Sequence, residues 1–214
     1  MPSSTYPRGV ATAVRRRGAS KGDQREHAIL TAARTMLEHK RLAAVTTDEL
    51  AAGAGLSRSS FYFYFDSKTA VLTALLDELS TELREENGPW LDAVGPAREA
   101  LRSATAHTVA LWRTSGGLLR QAYGGDDEQL AQWRDAIVER GVRRMAEKVE
   151  RDRAAGLAPL GPPSAVGIAR MLHGAKTTLL LHRDPTTSHE RLVEDIVTAT
   201  LRLVYGIGSS AAGV

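Results

Sequence analysis

With 214 residues, 43% hydrophobic and 25% charged, the chain has room for one large domain or two small ones. No apolar run reaches the roughly 18 residues of a membrane span. The first residues lack the apolar core of a secretory signal, and the absence of cysteine excludes disulfides and thiolate chemistry. A reducing cytoplasm is the natural compartment. The net charge of +3 is unevenly placed: residues 1–22 hold Arg8, Arg15, Arg16, Arg17 and Lys21 and no acid, which is +5 and leaves −2 for the rest. A basic, disordered arm on a near-neutral body points to a polyanionic partner, although a solvated tail accounts for the same charge.

From residue 23 the pattern becomes helical. Asp23 with Glu26 reads as a helix start, and Ala28, Ile29, Ala32, Ala33, Met36 and Leu37 recur at helical spacing to about Lys40. Thr46 with Glu49 is a capping box for a short second helix carrying Leu50 and Ala51. GAGLS, Gly53 to Ser57, breaks it: Gly55 can take the positive φ of a tight turn, and Ser57 can cap a third helix. Asp66 or Ser67 can cap a fourth, in which Leu72, Leu75, Leu76 and Leu79 keep the period until NGP, Asn87 to Pro89, stops it.

Every Phe of the chain lies between the third and fourth starts, in SRSSFYFYFDSK: Phe61, Phe63 and Phe65, with Tyr62 and Tyr64 between them. The alternation fits a strand, but no nearby segment reads as a partner, and a lone strand leaves its backbone unpaired. A helix from Ser57 pairs its own backbone. It sets Phe61 and Phe65 on one face and Arg58, Ser59 and Tyr62 on another.

Residues 90–206 read as helices throughout: Pro96 to Trp112, Asp126 to Gly156, Ser164 to Arg183 and Ser188 to Gly206. The predicted fold is all-α. On the last helix Leu192, Val193, Ile196, Val197, Thr200 and Val204 form an apolar stripe that faces either the chain's own core or a second copy. Catalysis finds no support. HRD, His182 to Asp184, follows no glycine-rich phosphate loop, and the six scattered His show no His-x-x-x-His spacing for a metal. No cofactor is implied.

A short helix, a glycine turn and a second short helix make a helix-turn-helix, whose second helix enters the DNA major groove. The run TTDELAAGAGLSRSSFYFYFDSKTAVL, Thr46 to Leu72, resembles the N-terminal signature of the TetR family of transcriptional regulators. The likeness rests on Thr47, Ala54-Gly55-Leu56-Ser57, Phe61-Tyr62, Phe65 and Ser67-Lys68. It is strong over about residues 22–80 and thins beyond. Ser59 stands where the family often has Gly or Pro, and Thr69 where it usually has Glu; Ser59 changes what the reading helix offers to bases, so no operator sequence can be borrowed.

The resemblance implies a basic arm over 1–22, a helix-turn-helix DNA-binding domain over 23–85, and a helical ligand-binding and dimerisation domain over 86–208. It implies Thr47, Ser57 and Lys68 as phosphate contacts and Arg58, Ser59, Ser60 and Tyr62 as the groove face. Tyr64 reaches the DNA backbone; for Ser60 a bond within the helix is an equal alternative. The partner is double-stranded operator DNA, bound by a homodimer formed through the last two helices, which favours the interface reading of the apolar stripe. A small lipophilic ligand is implied among the C-terminal helices, with Leu101, His107, Trp112, Trp133, Met145 and His173 as candidate contacts. The fourth helix alone is expected to join the two parts. The implied function is a cytoplasmic, sequence-specific DNA-binding regulator, a repressor released by its ligand. The alternative is a DNA-binding regulator without a ligand, controlled by its abundance.

Overall fold

The computed structural model describes residues 20–124, 127–184 and 186–206. Among them the chain is helical and has no strand: α1 Lys21–Leu37, a 3-10 turn Leu42–Ala44, α2 Thr47–Gly53, α3 Arg58–Phe61, α4 Lys68–Asp92, α5 Arg98–Thr114, α6 Gly116–Gln121, α7 Glu128–Ala154, α8 Ala165–Leu181 and α9 His189–Tyr205. None of these helices is long and apolar enough to cross a membrane. Most of the basic arm, residues 1–19, lies outside the described residues.

Side-chain oxygens satisfy backbone donors at most of the helix starts. Thr46, Ser57 and Ser67 accept from Glu49, Ser60 and Ala70 at the heads of α2, α3 and α4. Asp127, Ser164 and Ser188 do the same for α7, α8 and α9. α1 begins earlier than its sequence pattern predicts: Ser20 is the cap, and Asp23 is the residue that reaches back to it. Lys21 and Gly22 therefore belong to the helix rather than to the arm.

α4 departs further from expectation, running through Pro89 to Asp92. A proline inside a helix costs about 3 kcal/mol through its missing N–H and its clash with the preceding turn. Tertiary contacts offset that here. Trp90 is buried and donates its indole N–H to the Pro96 carbonyl at 3.2 Å. Arg151 and Lys148 of α7 donate to the carbonyls of Leu91 and Ala93, just where the helix runs out of its own donors. α6, six residues beginning Gly-Gly, has no counterpart in the sequence reading.

Two apolar clusters form the interior. One joins α1, α2 and α3 to the first half of α4 and to α6, with Ile29, Leu37, Leu50, Phe61, Leu72 and Leu118 almost wholly buried. The other lies among α5, α7, α8 and α9 around Leu101, Val109, Val149, Ile168 and Val197. α4 contributes to both through Leu72 and Trp90, and Trp112 packs against both. The apolar stripe of α9 belongs to the second cluster: Leu192, Val193, Ile196, Val197, Thr200 and Val204 are all at most 6% exposed within the single chain. The reading that assigned this stripe to a second copy is therefore corrected. α5 covers it.

A polar knot sits inside the second cluster. The side chains of Lys148 and Asp152 are 0% and 1% exposed and lie 3.1 Å apart, one turn apart on α7. Lys148 also donates to the carbonyls of Ala93 at 2.8 Å and Gly95 at 2.9 Å. Asp152 accepts from the Gly95 N–H at 3.0 Å and from the Tyr205 hydroxyl at 2.6 Å. Burial by itself raises the Asp152 pKa, but the bonds from Tyr205, Gly95 and Lys148 outweigh it and hold the carboxyl below its ordinary value. Burial and the Asp152 charge push the Tyr205 hydroxyl far up, so it remains a donor.

Asp152→Asn leaves Lys148 as a buried ammonium without a counter-charge, and should lower stability by about 3–5 kcal/mol in urea denaturation. The wild type should lose the same contribution in acid. A carboxyl whose folded pKa is depressed stabilises above its unfolded value, about 3.9, and the benefit disappears as pH falls through the folded value. Equal stability of the variant and the wild type at pH 7 would remove the knot from the account of the fold.

Candidate nucleic-acid interface and adjoining cavity

α3 has four residues, too few to hold a helix in water. It is held from below. Phe61 is fully buried and Phe65 9% exposed, their ring centroids 6.2 Å apart. The turn before it needs Gly55, whose φ is 68°, and closes with the Leu56 N–H on the Ala51 carbonyl at 2.9 Å. Ser57 then caps α3.

This anchoring presents Ser57, Arg58, Ser59, Tyr62 and Phe63 to solvent. Arg58 donates to Asp48 at 2.9 Å and lies over the Tyr62 ring, 5.9 Å from its centroid. The hydroxyls of Ser59 and Ser60 are 3.0 and 2.9 Å from that of Ser57, but Ser60 is half-buried. Thr47 sits half-buried in the first turn of α2. Tyr64 is half-buried and meets Phe63 edge to face, with centroids 5.2 Å apart. Lys68 does not point freely outward. Its ammonium donates to the carbonyls of Leu42 and Val45, each at 2.8 Å, tying the start of α4 to the 3-10 turn.

Phe63 is the residue that sequence reasoning missed: at 83% exposed it is the most exposed of the large apolar side chains. The signal was present. Two residues from Phe61 and two from Phe65, it cannot share their inward face.

Beside this head α4 forms one wall of a cavity of about 280 Å³, through Leu76, Leu83, Asn87 and Trp90 among others. Its volume and largely apolar wall are near the lower end of small-molecule sites. Leu101, Trp112, Trp133, Met145 and His173 all line it. His107 does not. Its Nε2 lies 2.8 Å from Glu82 Oε1, at ion-pair distance but without hydrogen-bond geometry. α5 instead turns Leu101, Thr105, Thr108 and Trp112 toward the cavity, a stripe at spacings of four, three and four that excludes position 107.

α4 is not the sole connection between the head and the helices behind it, contrary to the sequence expectation. The Gln121 side chain donates to the carbonyls of Leu37 at 3.0 Å and Lys40 at 2.8 Å, and accepts from the Leu42 N–H at 3.0 Å. The Gly117 N–H reaches Glu38 at 3.0 Å. The backbones are so close there that a Cβ on Gly117 would lie 2.4 Å from the Glu38 carbonyl oxygen. Thr69 also donates to Asp127, the cap of α7, at 2.9 Å.

Residues 29–75 match the model of a family described as bacterial regulatory proteins, tetR family. Over 209 residues the chain is 29% identical to the HTH-type transcriptional regulator EthR of Mycolicibacterium smegmatis, covering 94% of this chain and 93% of that one. SmeT, the repressor of the Stenotrophomonas maltophilia multidrug efflux pump SmeDEF, shares the fold with a TM-score of 0.70 and 20% identity, over 88% of this chain and 93% of its own. FadR of Thermus thermophilus, a repressor in complex with lauroyl-CoA, gives a TM-score of 0.61 and 22% identity over 88% and 100%.

Lys68→Met removes the donor shared by Leu42 and Val45. It should lower thermal stability by about 1–3 kcal/mol, the cost of leaving half-buried carbonyls unpaired. A variant as stable as the wild type would assign the Lys68 ammonium to a partner outside the chain.

Proposed function

Because the chain is a DNA-binding regulator of the TetR family that resembles EthR, we propose that it is a repressor that leaves its operator when a small lipophilic ligand fills the cavity. One observation carries this reading: a single helix, α4, begins at the capped turn beneath the exposed α3 face and continues as the cavity wall. Whatever occupies the cavity presses on the element that aims α3. A DNA-binding regulator controlled by abundance alone needs a filled core there, and a largely apolar cavity of about 280 Å³ argues against one.

In this reading Arg58, Ser59 and Tyr62 meet base edges, and Phe63 adds an apolar surface for a thymine methyl or a sugar. Ser57 and Thr47 take phosphates, with Lys68 and Tyr64 behind them, and Ser60 acts mainly through Ser57. Arg58 must exchange Asp48 for DNA. That is cheap, since solvent screens an ion pair this exposed and it contributes little. The basic arm supplies sequence-independent phosphate contacts.

Two half-sites require a homodimer. The last two helices supply it, through the outer face of α8, where Val166 and Met171 are 48% and 47% exposed, alongside the small and polar outer face of α9. The protein works in the cytoplasm, where its DNA is.

Tyr62→Ala should weaken operator binding by roughly tenfold or more, the worth of one good base contact, while nonspecific binding changes little. Equal loss on operator and random duplexes, read by fluorescence anisotropy, would reduce Tyr62 to a prop for α3. Thr108→Trp, which pushes an indole into the cavity, should mimic a ligand. It should lower operator affinity about 5–150-fold and speed hydrogen exchange over residues 68–92. Unchanged operator affinity, in this variant and with a tightly bound lipophilic compound, would sink ligand gating in favour of control by abundance.

A further inference from the structure

The charge on the cavity wall has one sign. Arg84, Arg134, Arg140, Arg144 and Lys176 line it, and among the described residues no Asp or Glu does. Two of these cations are engaged: Arg134 lies 3.2 Å from Asp135, and Arg144 donates to Asp92 at 2.8 Å. Arg84 and Arg140 are exposed, so water solvates them at the cavity's edge. Lys176 is different. It lies in the middle of α8, and among the described residues it has no hydrogen bond or ion pair. The residue is half-buried and lines the cavity. Burial pushes its ammonium below the ordinary lysine pKa.

The groups around Lys176 offer no counter-charge. His173, one turn earlier, is held below its ordinary pKa by burial first and by the Lys176 charge second. They do offer hydroxyls. Thr177 Oγ1 lies 3.4 Å from His173 Nε2, and the Tyr123 hydroxyl, whose pKa burial raises, is near enough to Thr177 to be influenced by it. All four side chains line the cavity. The polar cluster therefore consists of a cation, two hydroxyls and a neutral imidazole, set into an apolar wall that includes Leu101, Trp112 and Met145. A charge set into an apolar wall without a partner is destabilising even when half-buried. The missing component is an anion.

We propose that the cavity takes an anionic amphiphile: an apolar body against Leu101, Trp112 and Met145, and a negatively charged head seated on Lys176 within reach of Thr177 and Tyr123. The inference rests on the ligand-gated reading above and narrows its ligand from lipophilic to acidic and lipophilic. A neutral alcohol or ester of equal length leaves the ammonium unpaired, so the site discriminates by the head rather than by the tail. Two sources share this chemistry: a free carboxylate, and a coenzyme A thioester with its phosphates.

The test is calorimetric titration of the intact dimer with octanoate, dodecanoate and hexadecanoate, with the 1-alkanol of each length, and with lauroyl-CoA. The best-fitting acid should bind roughly tenfold or more tighter than its alcohol, the range of a charge-assisted hydrogen bond in a desolvated site. Lys176→Met should abolish that preference while leaving the alcohol's affinity within about twofold, and Lys176→Arg should retain it. Equal binding of acid and alcohol by the wild type, a preference that survives Lys176→Met, or no binding at any length would overturn the proposal. Lauroyl-CoA that outbinds dodecanoate, survives Lys176→Met and fails in Arg140→Gln would overturn the placement of the head at Lys176. Operator release, followed in parallel by anisotropy, separates the two ideas. An alcohol that binds as well as the acid and releases DNA defeats the anionic head and keeps the gating. An acid bound with the expected preference that leaves the operator occupied keeps the head and defeats the gating.

Discussion

The ion pair of Lys148 and Asp152 is closed off from water at the end of the molecule away from α3. Because Asp152 takes the Gly95 N–H and the Tyr205 hydroxyl, and Lys148 feeds the carbonyls of Ala93 and Gly95, four segments meet at one point: the end of α4, the loop after it, α7 and the last turn of α9. A buried pair of this kind adds little net stability compared with apolar packing, but losing one partner is costly. Its effect here is positional. The far end of α4 is fixed, so any displacement of that helix must appear at the near end, where Ser67 and Lys68 lie beneath α3. The helix is 25 residues long, about 37 Å at 1.5 Å per residue. A push at Leu83 acts roughly a third of the way from the fixed end, so about 1 Å there becomes nearly 3 Å at the head.

The head is built for the opposite quality. α3 has almost no helix of its own, and its exposed side consists of hydroxyls, two aromatic rings and one arginine. Its stability is borrowed from Phe61 and Phe65 below and from Lys68, which fastens α4 to the turn before α2. The groups that would face DNA are thereby separated from the groups that hold the helix. A substitution on the outer face can change recognition without unfolding the head.

Much of this was legible in the sequence, and the failures share a cause. The caps at Thr46, Ser57 and Ser67 were readable because a cap is a local bond between residues three apart. Pro89 misled because what carries α4 past it, the burial of Trp90 and the donors of α7, is distant in the chain. The α9 stripe misled in another way: a period of 3.6 shows which face is apolar and says nothing of what covers it. His107 was expected to look inward with the other cavity candidates, whereas the spacing of Leu101, Thr105, Thr108 and Trp112 already excluded it. Lys148 and Asp152 sit in a run, EKVERD, whose charge density reads as solvated surface, so neither their burial nor their partners could be seen. Lys176 was missed for a different reason: it is a lone charge in an apolar run, and the sequence does not show which side of α8 it takes.

The second connection, through α6, changes what counts as an effective ligand. Leu119, Ala122 and Tyr123, in and just beyond α6, also line the cavity, and Gln121 beside them holds the end of α1 and the turn after it by three hydrogen bonds. The head is thus clasped from two sides. A molecule that presses only on α4 tilts a helix whose other support still grips, and one that disturbs only α6 loosens a head whose main strut has not moved. In pharmacological terms such molecules are partial agonists, and one that fits between the walls without straining either is an antagonist that occupies the site and protects the DNA-bound state. Occupancy and response are separable in this architecture, and the shape of the ligand decides between them.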